Sequence, residues 1–325
     1  MSKFLTEFVL IEKEHPRAPR RFHNHSSFLI PHSSLNSDLA RSDKSEFRKD
    51  PAMTIQYIKL DPTGNITVLV TTPVPRSLQG AVAARLLDPG CVGGEQVGYI
   101  EPPAVPGHAA RLQMMGGEFC GNATMSLGAV LARKAGLGRE ESADLPLEVS
   151  GSDVPVPCRV RREGKAWVGT VRMPLPIAME EIALDTDGGP LRVTLMRFPG
   201  ICHLVIPIGA GLDEAQLRRR LPQWNEAIGA DALGALTWDA AASAIDPLVY
   251  VPSAGTLVRE HGCGSGTAAI GCMLALNAGK TVRAEVAQPG GVIAVEARIA
   301  DGRVCALNIT GRVEIVEEGK VNIEV

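Results

Sequence analysis

Apolar and polar residues alternate with period two over Ile55–Leu60 and Ile66–Thr71, which predicts two strands joined by the turn Asp61-Pro-Thr-Gly64. A short helical pattern over Gln79–Leu87 follows, then strands over Gln96–Glu101 and Arg111–Met115. Gly116-Gly117 turns the chain into a run of small and apolar residues that opens at Cys120. Strands are predicted over Leu147–Val149, Val154–Val160 and Trp167–Met173. Past Pro190 come strands at Leu191–Phe198 and His203–Pro207, and a helix around Asp213–Arg220 expected to stop before Pro222. Leu248–Val251 precedes a second run of small residues from Cys263, and Val282–Glu285, Val292–Ile299, Val304–Ile309 and Val313–Val325 read as further strands. Residues 1–52 carry neither period; they hold four of the seven histidines and a Ser/Asn-rich run. They are expected to be a disordered extension or an over-called start, with the fold beginning at Met53.

The two small-residue runs are copies of one another. Cys120–Gly136 and Cys263–Gly279 align without a gap at 8 identical positions of 17, including the leading Cys-Gly, a Thr, a mid-helix Gly and the closing Ala-Gly. Each reads as a helix with a cysteine at its N-terminus and a glycine just past its end. Exposed N–H groups and the helix dipole stabilise an anion there, so each thiol is expected to have a lowered pKa and to serve as base or nucleophile. Repetition at this distance implies two similar halves that bring two helix starts to one cleft. The expected fold is α+β: two pseudo-symmetric halves, each a curled, mostly antiparallel sheet around a central helix. The halves are 53–185, joined by a returning strand 310–325, and 186–309.

Composition narrows the classes. At 325 residues, 45% hydrophobic and a net charge of −3, nothing points to nucleic acid or a membrane surface. Aromatics are only 4%, too few for base-stacking platforms, and no apolar run approaches membrane-spanning length. Seven scattered cysteines make no disulfide framework, so a cytoplasmic setting is expected. Cys91, Cys158, Cys202, Cys272 and Cys305 lack the helix-start setting and are expected in the core.

Gly117-Glu-Phe-Cys-Gly-Asn-Ala-Thr124 and Cys263-Gly-Ser-Gly-Thr267 resemble the diaminopimelate epimerase-like superfamily. Within it, Asn65 in Gly-Asn-Ile-Thr, Glu95-Gln-Val-Gly98, Glu118–Ser126, Ser150–Asp153, Pro247–Pro252, Cys263–Ala268 and Gln288-Pro-Gly-Gly291 resemble the histidine racemases of staphylopine-type metallophore pathways. The resemblance covers Met53 to the C-terminus. It implies an amino-acid racemase free of pyridoxal cofactor and metal, with Cys120 and Cys263 catalytic. It also implies substrate contacts by Asn65, Glu95 and Glu260. Two departures matter. Gly255 and Ala254 stand where a diaminopimelate epimerase has the Glu-Arg pair that holds the distal end, and Ile201-Cys-His203 replaces its Asn-Pro-His. No Asn occurs near Leu236–Trp238 either.

Racemisation needs a base on one face of Cα and an acid on the other, which a thiolate and a thiol supply. The backbone N–H groups of Gly121, Asn122, Gly264, Ser265 and Gly266 are candidate donors to the substrate carboxylate. Glu95 and Glu260 are candidates for pairing a cationic or N–H-bearing side chain. His203 and His261 read as structural. The expected partner is a small amino acid, histidine first and diaminopimelate or another amino acid as the alternative. Nothing in the sequence decides the oligomeric state, and a homodimer is left open. Competing classes are a lyase or isomerase of the same superfamily and a thiol switch or soft-metal pair. Two sulfurs without Cys-x-x-Cys or paired histidines make a poor metal site.

Overall fold

The computed structural model describes residues 52–139 and 141–324, so the expectation for the first 52 residues lies outside the described part except at Ala52. The chain begins with β1 (Met53–Pro62), β2 (Thr67–Val70), α1 (Arg76–Leu87), β3 (Gln96–Glu101), β4 (Ala110–Met114), α2 (Gly121–Lys134), β5 (Ser142–Val149), β6 (Val156–Glu163) and β7 (Ala166–Arg172). It continues with β8 (Ala178–Thr186), β9 (Gly189–Phe198), β10 (Ile201–Pro207), α3 (Glu214–Ile228), β11 (Leu233–Asp239), β12 (Ala244–Val251), β13 (Thr256–Arg259) and α4 (Gly264–Ala278). β14 (Val282–Gln288), β15 (Gly291–Ala300) and β16 (Arg303–Ile323) close it. The architecture is a sheet-rich α+β fold.

One hydrogen-bonded path runs β1-β2-β3-β4-β5-β6-β7-β16-β15-β14-β12-β11-β10-β9-β8, and β16 also pairs β1. Most neighbours are antiparallel. The parallel pairs β2–β3, β4–β5, β10–β11 and β12–β14 are those with a helix in the intervening chain, because a parallel pair needs a long crossover. β16 is a single strand serving β15, β7 and β1 in turn, where the sequence pattern suggested two strands.

Helices α2 and α4 share one buried core with β4 to β7 and β14 to β16. The mid-helix glycine common to both copies has a packing reason. A Cβ on Gly128 would stand 2.6 Å from Cys158 Sγ, and one on Gly271 would stand 2.4 Å from Val295 Cγ2. Both helices therefore lie closer to their sheets than any larger residue allows. α1 covers a second core on β1 to β3, and α3 a third on β8 to β12.

Three sequence expectations need correction. α3 runs through Pro222 to Ile228 and ends on the left-handed Gly229. Burial of Leu217, Leu221 and Trp224, with Trp224 Nε1 donating to the Asp185 carbonyl, outweighs the missing N–H. Strands β8 and β13 lie outside the predicted set, and β11 is the strand that holds Leu236–Trp238. Of the five cysteines expected in the core, Cys158, Cys202 and Cys272 are buried, but Cys91 is half-buried and Cys305 is exposed.

Candidate active site

Cys120 and Cys263 are the N-cap residues of α2 and α4, and both are extended at φ −131° and −110°. Each sulfur accepts the N–H three residues on, from Ala123 at 3.4 Å and from Gly266 at 3.3 Å. The Thr repeated at the fourth position explains itself: Thr124 Oγ1 donates to the Cys120 carbonyl at 2.6 Å and Thr267 Oγ1 to the Cys263 carbonyl at 2.9 Å. The sequence thus builds the same cap twice.

The two helix starts meet. A Cβ on Gly121 or on Gly264 would strike the same Ile309 Cδ1, at 2.8 and 2.9 Å. Asn65 Nδ2 and Asn122 Nδ2 both donate to the Gly262 carbonyl at 2.9 Å, so the loop carrying Cys263 is clamped by two amides from the first part of the chain. The turn after β1 seats this loop. A Cβ on Gly262 would lie 2.2 Å from the Thr63 carbonyl oxygen, and Gly290 N donates to the His261 carbonyl at 2.7 Å. Gln288 completes the mounting: its Oε1 accepts Cys263 N at 2.6 Å and its Nε2 donates to Thr267 Oγ1 at 2.8 Å.

Around the sulfurs the surroundings differ. Cys120 is half-buried and its thiol donates to Gln96 Oε1 at 3.0 Å. Cys263 is 2% exposed and lies 3.5 Å from Ser265 Oγ, with the half-buried Glu260 carboxylate among the charges that act on it. Ser265 Oγ in turn meets Nε2 of the fully buried His203 at 3.0 Å, whose Nδ1 has no partner. Glu95 Oε1 pairs with His261 Nδ1 at 3.1 Å at the surface.

The expected lowering of the thiol pKa is not found. Burial pushes Cys120 up to about 12, with the Ala123 N–H opposing and the Glu118 and Glu260 carboxylates adding to the rise. Burial, then Glu260, drives Cys263 well above the usual thiol range. Loss of hydration outweighs two helix-start donors in a site that holds several carboxylates. Burial raises Glu260 to about 7, its bond to Cys263 opposing and Glu95 adding. Glu95 and Glu118 are raised by burial as well. His203 is lowered to about 3 by burial alone.

The candidate residues therefore gather in one place, with altered parts. Gly121, Asn122, Gly264 and Ser265 offer first-turn N–H groups outside the intrahelical ladder. Gly266 does not, because its N–H is taken by Cys263 Sγ. Asn65 and Asn122 use their amide nitrogens on the Gly262 carbonyl, while Asn122 Oδ1 is buried without a partner. His203 and His261, read as structural, both touch the site. Gln96 and Gln288 were missed as site residues, although each lies inside a quoted motif. Arg259, next to Glu260, is held by Asp246 at 2.7 and 2.5 Å. Among the described residues no three His, Cys, Asp or Glu side chains cluster as a metal site, and no helix is long and apolar enough to cross a membrane.

With this geometry in view, comparison with known proteins is informative. Residues 54–322 match the family model described as the histidine racemase CntK N-terminal domain. A histidine racemase of Fusobacterium nucleatum subsp. nucleatum (strain ATCC 23726 / VPI 4351) is 30% identical over 279 residues, which is 83% of this chain and 97% of that one. A histidine racemase of Staphylococcus aureus (strain Mu50 / ATCC 700699) is 29% identical, covering 83% and 98%. The fold is similar to the crystal structure of a hydroxyproline epimerase from Agrobacterium vitis with bound trans-4-hydroxy-L-proline, at TM-score 0.62 and 15% identity over 86% of this chain and 94% of that one. The chain belongs to the histidine racemase CntK N-terminal domain family and is an isomerase of the racemase type.

Proposed function

We propose that the protein interconverts L- and D-histidine with Cys120 and Cys263 as the two proton carriers and without a pyridoxal cofactor. The observation that carries this reading is the meeting of two cysteine-capped helix starts across Ile309, tied through the Gly262 carbonyl. One sulfur, as thiolate, removes the Cα proton. The other, as thiol, delivers its proton to the opposite face, and the roles are exchanged for the mirror substrate. The carboxylate of the substrate takes the developing charge, and the first-turn N–H groups of Gly121, Asn122, Gly264 and Ser265 would stabilise it. Glu260, raised to about 7 by burial, adds a group near the site that titrates around neutrality. The chain divides on this reading into two pseudo-symmetric halves of diaminopimelate epimerase-like design, 53–185 with 310–325 and 186–309. Each half supplies one cysteine.

Histidine fits the charge of the rim. Glu95, Glu118 and Glu260 surround the site, and the only adjacent arginine in the loop is engaged by Asp246. Glu95 is the proposed reader of the imidazole, while the second carboxylate of diaminopimelate would meet like charge. D-histidine made here would supply opine-type metallophore synthesis, as the resemblance implies. The test offers L-histidine and LL-diaminopimelate separately in D2O and follows Cα deuteration and optical rotation. Histidine should exchange and racemise; diaminopimelate exchanging while histidine stays inert would replace this reading with an epimerase of the alternative substrate.

A further inference from the structure

One contact at the rim of the site joins a carboxylate to an imidazole that the protein supplies itself. Glu95 Oε1 lies 3.1 Å from His261 Nδ1, and His261 is the one side chain that bonds Glu95 among the described residues. An ionised carboxylate only accepts, so Nδ1 carries the proton and donates. Both partners adjoin the sulfurs' own surroundings. Glu95 precedes Gln96, whose Oε1 receives the Cys120 thiol, and His261 comes two residues before Cys263. The charge of Glu95 acts on Glu260, whose charge reaches both sulfurs. The backbone of His261 is fixed: its carbonyl accepts Gly290 N at 2.7 Å, and a Cβ on Gly64 would lie 3.0 Å from His261 Cβ. Its side chain is not. It is 59% exposed against 30% for Glu95, so the ring can leave the carboxylate by changing its own rotamer. Two cations on flanking elements are engaged elsewhere: Lys59 Nζ donates to the Val92 carbonyl at 2.9 Å, and Arg259 is held by Asp246.

We propose that the His261 ring is the resting occupant of the imidazole subsite, and that the side chain of the bound substrate displaces it from Glu95. The inference rests on histidine as the substrate and adds the residue that sets selectivity at that subsite. Opening the Glu95–His261 pair removes one charge-assisted hydrogen bond. The N–H of an incoming imidazole restores the same bond to the same oxygen, so the exchange is close to neutral for histidine. An aliphatic side chain restores nothing, and it leaves the Glu95 carboxylate beside Asp61 and Glu260 with water as its donor. His261 thus works against every side chain that cannot replace it, which is selection by an opposing contact as much as by an attractive one. The same contact weakens histidine binding by the work of opening the pair.

The test reads the ring itself. The histidine rings of the protein are labelled with nitrogen-15, and the His261 signals are assigned by their loss in His261→Gln. On titration with unlabelled L-histidine they should move to where they stand in Glu95→Ala, which lacks the partner. In His261→Ala the KM for L-histidine should fall about two- to tenfold, with kcat moving less. The same substitution made on top of Glu95→Ala should leave KM where it is, since the pair is already gone. Histidine turned over while the His261 signals stay in place, or a KM unchanged or raised in His261→Ala, overturns the inference and leaves the substrate standing. L-histidine that neither moves the signals nor exchanges its Cα proton removes the substrate and the inference together. If a variant fails to fold, the titration of the unmodified protein decides alone.

Discussion

The helix starts at Cys120 and Cys263 are near copies in sequence and in cap geometry, yet they sit in unlike company. Both sulfurs accept an N–H three residues on, and both helices carry a glycine pressed on the sheet. The side chains around the sulfurs differ: an amide stands beside Cys120, and a carboxyl, a hydroxyl and a buried imidazole lie on the Cys263 side. The repeated residues build the place where a thiol can work. The unrepeated ones, Gln96, Glu260, Ser265 and His203, give each sulfur its own surroundings.

Removing either sulfur is the harshest way to break the comparison. Cys263→Ala and Cys120→Ala should each lower racemisation by roughly 10²- to 10⁴-fold, read by polarimetry. With Cys263 left as the one proton carrier, Cys120→Ala should still exchange the Cα proton of one enantiomer with solvent while failing to invert it. Inversion at the unmodified rate in either variant would end the two-base mechanism.

Glu260→Gln sharpens it. A carboxyl near 7 is half protonated at neutrality, and above that pH Glu260 is free to accept a proton. In the unmodified protein kcat/KM should therefore rise with pH through about 7. The variant should lose that limb along with most of its rate. An identical limb in the variant would assign the titration elsewhere.

The clamp on the Gly262 carbonyl comes next. Asn65→Ala and Asn122→Ala each remove one of two donors, at about 0.5–1.5 kcal/mol of stability apiece. The double variant should lose more than the two combined, since the buried carbonyl is then left with neither. Denaturant midpoints would show simple additivity if the two amides act independently.

The smallest effect is the acid sensitivity contributed by His203. Its folded pKa, about 3, lies below the unfolded value of about 6.5. The unfolded chain thus binds more protons between those limits, and this contribution is lost as pH falls through that window. His203→Asn should flatten the corresponding part of a stability–pH curve, and an unchanged slope would exclude this histidine as its source.

Much of this was legible in the chain. The repeat is local, so the cysteine caps, the helices and their terminal glycines Gly136 and Gly279 could be read from spacing, and both glycines are left-handed. Strands with a clean alternation were readable too. β8, with few buried positions, and β13, a short and mostly exposed strand, carried too weak a pattern. Pro222 misled because its local cost is offset by Trp224, a contact with the distant Asp185. At the site, residue types were readable but burial was not. The thiols were expected to be acidic from the helix dipole alone, and the desolvation that reverses this comes from packing across the whole molecule. Gln96 escaped for a related reason: its contact with Cys120 is made only when β3 is packed beside the start of α2.

β16 has a consequence for how the molecule is assembled. Thr54 and Asn322 are joined side chain to side chain across a separation of 268 residues, and β1 lies between β2 and this late strand. Contacts so distant along the chain close slowly, because a long loop must be ordered before any pairing rewards it. During synthesis β1 leaves the ribosome early and waits with one edge bare, which is an invitation to mispairing. Vectorial folding of residues 53–172 alone is thus left incomplete, and a chaperone that shields that edge until residues 303–323 emerge would raise the yield of native protein.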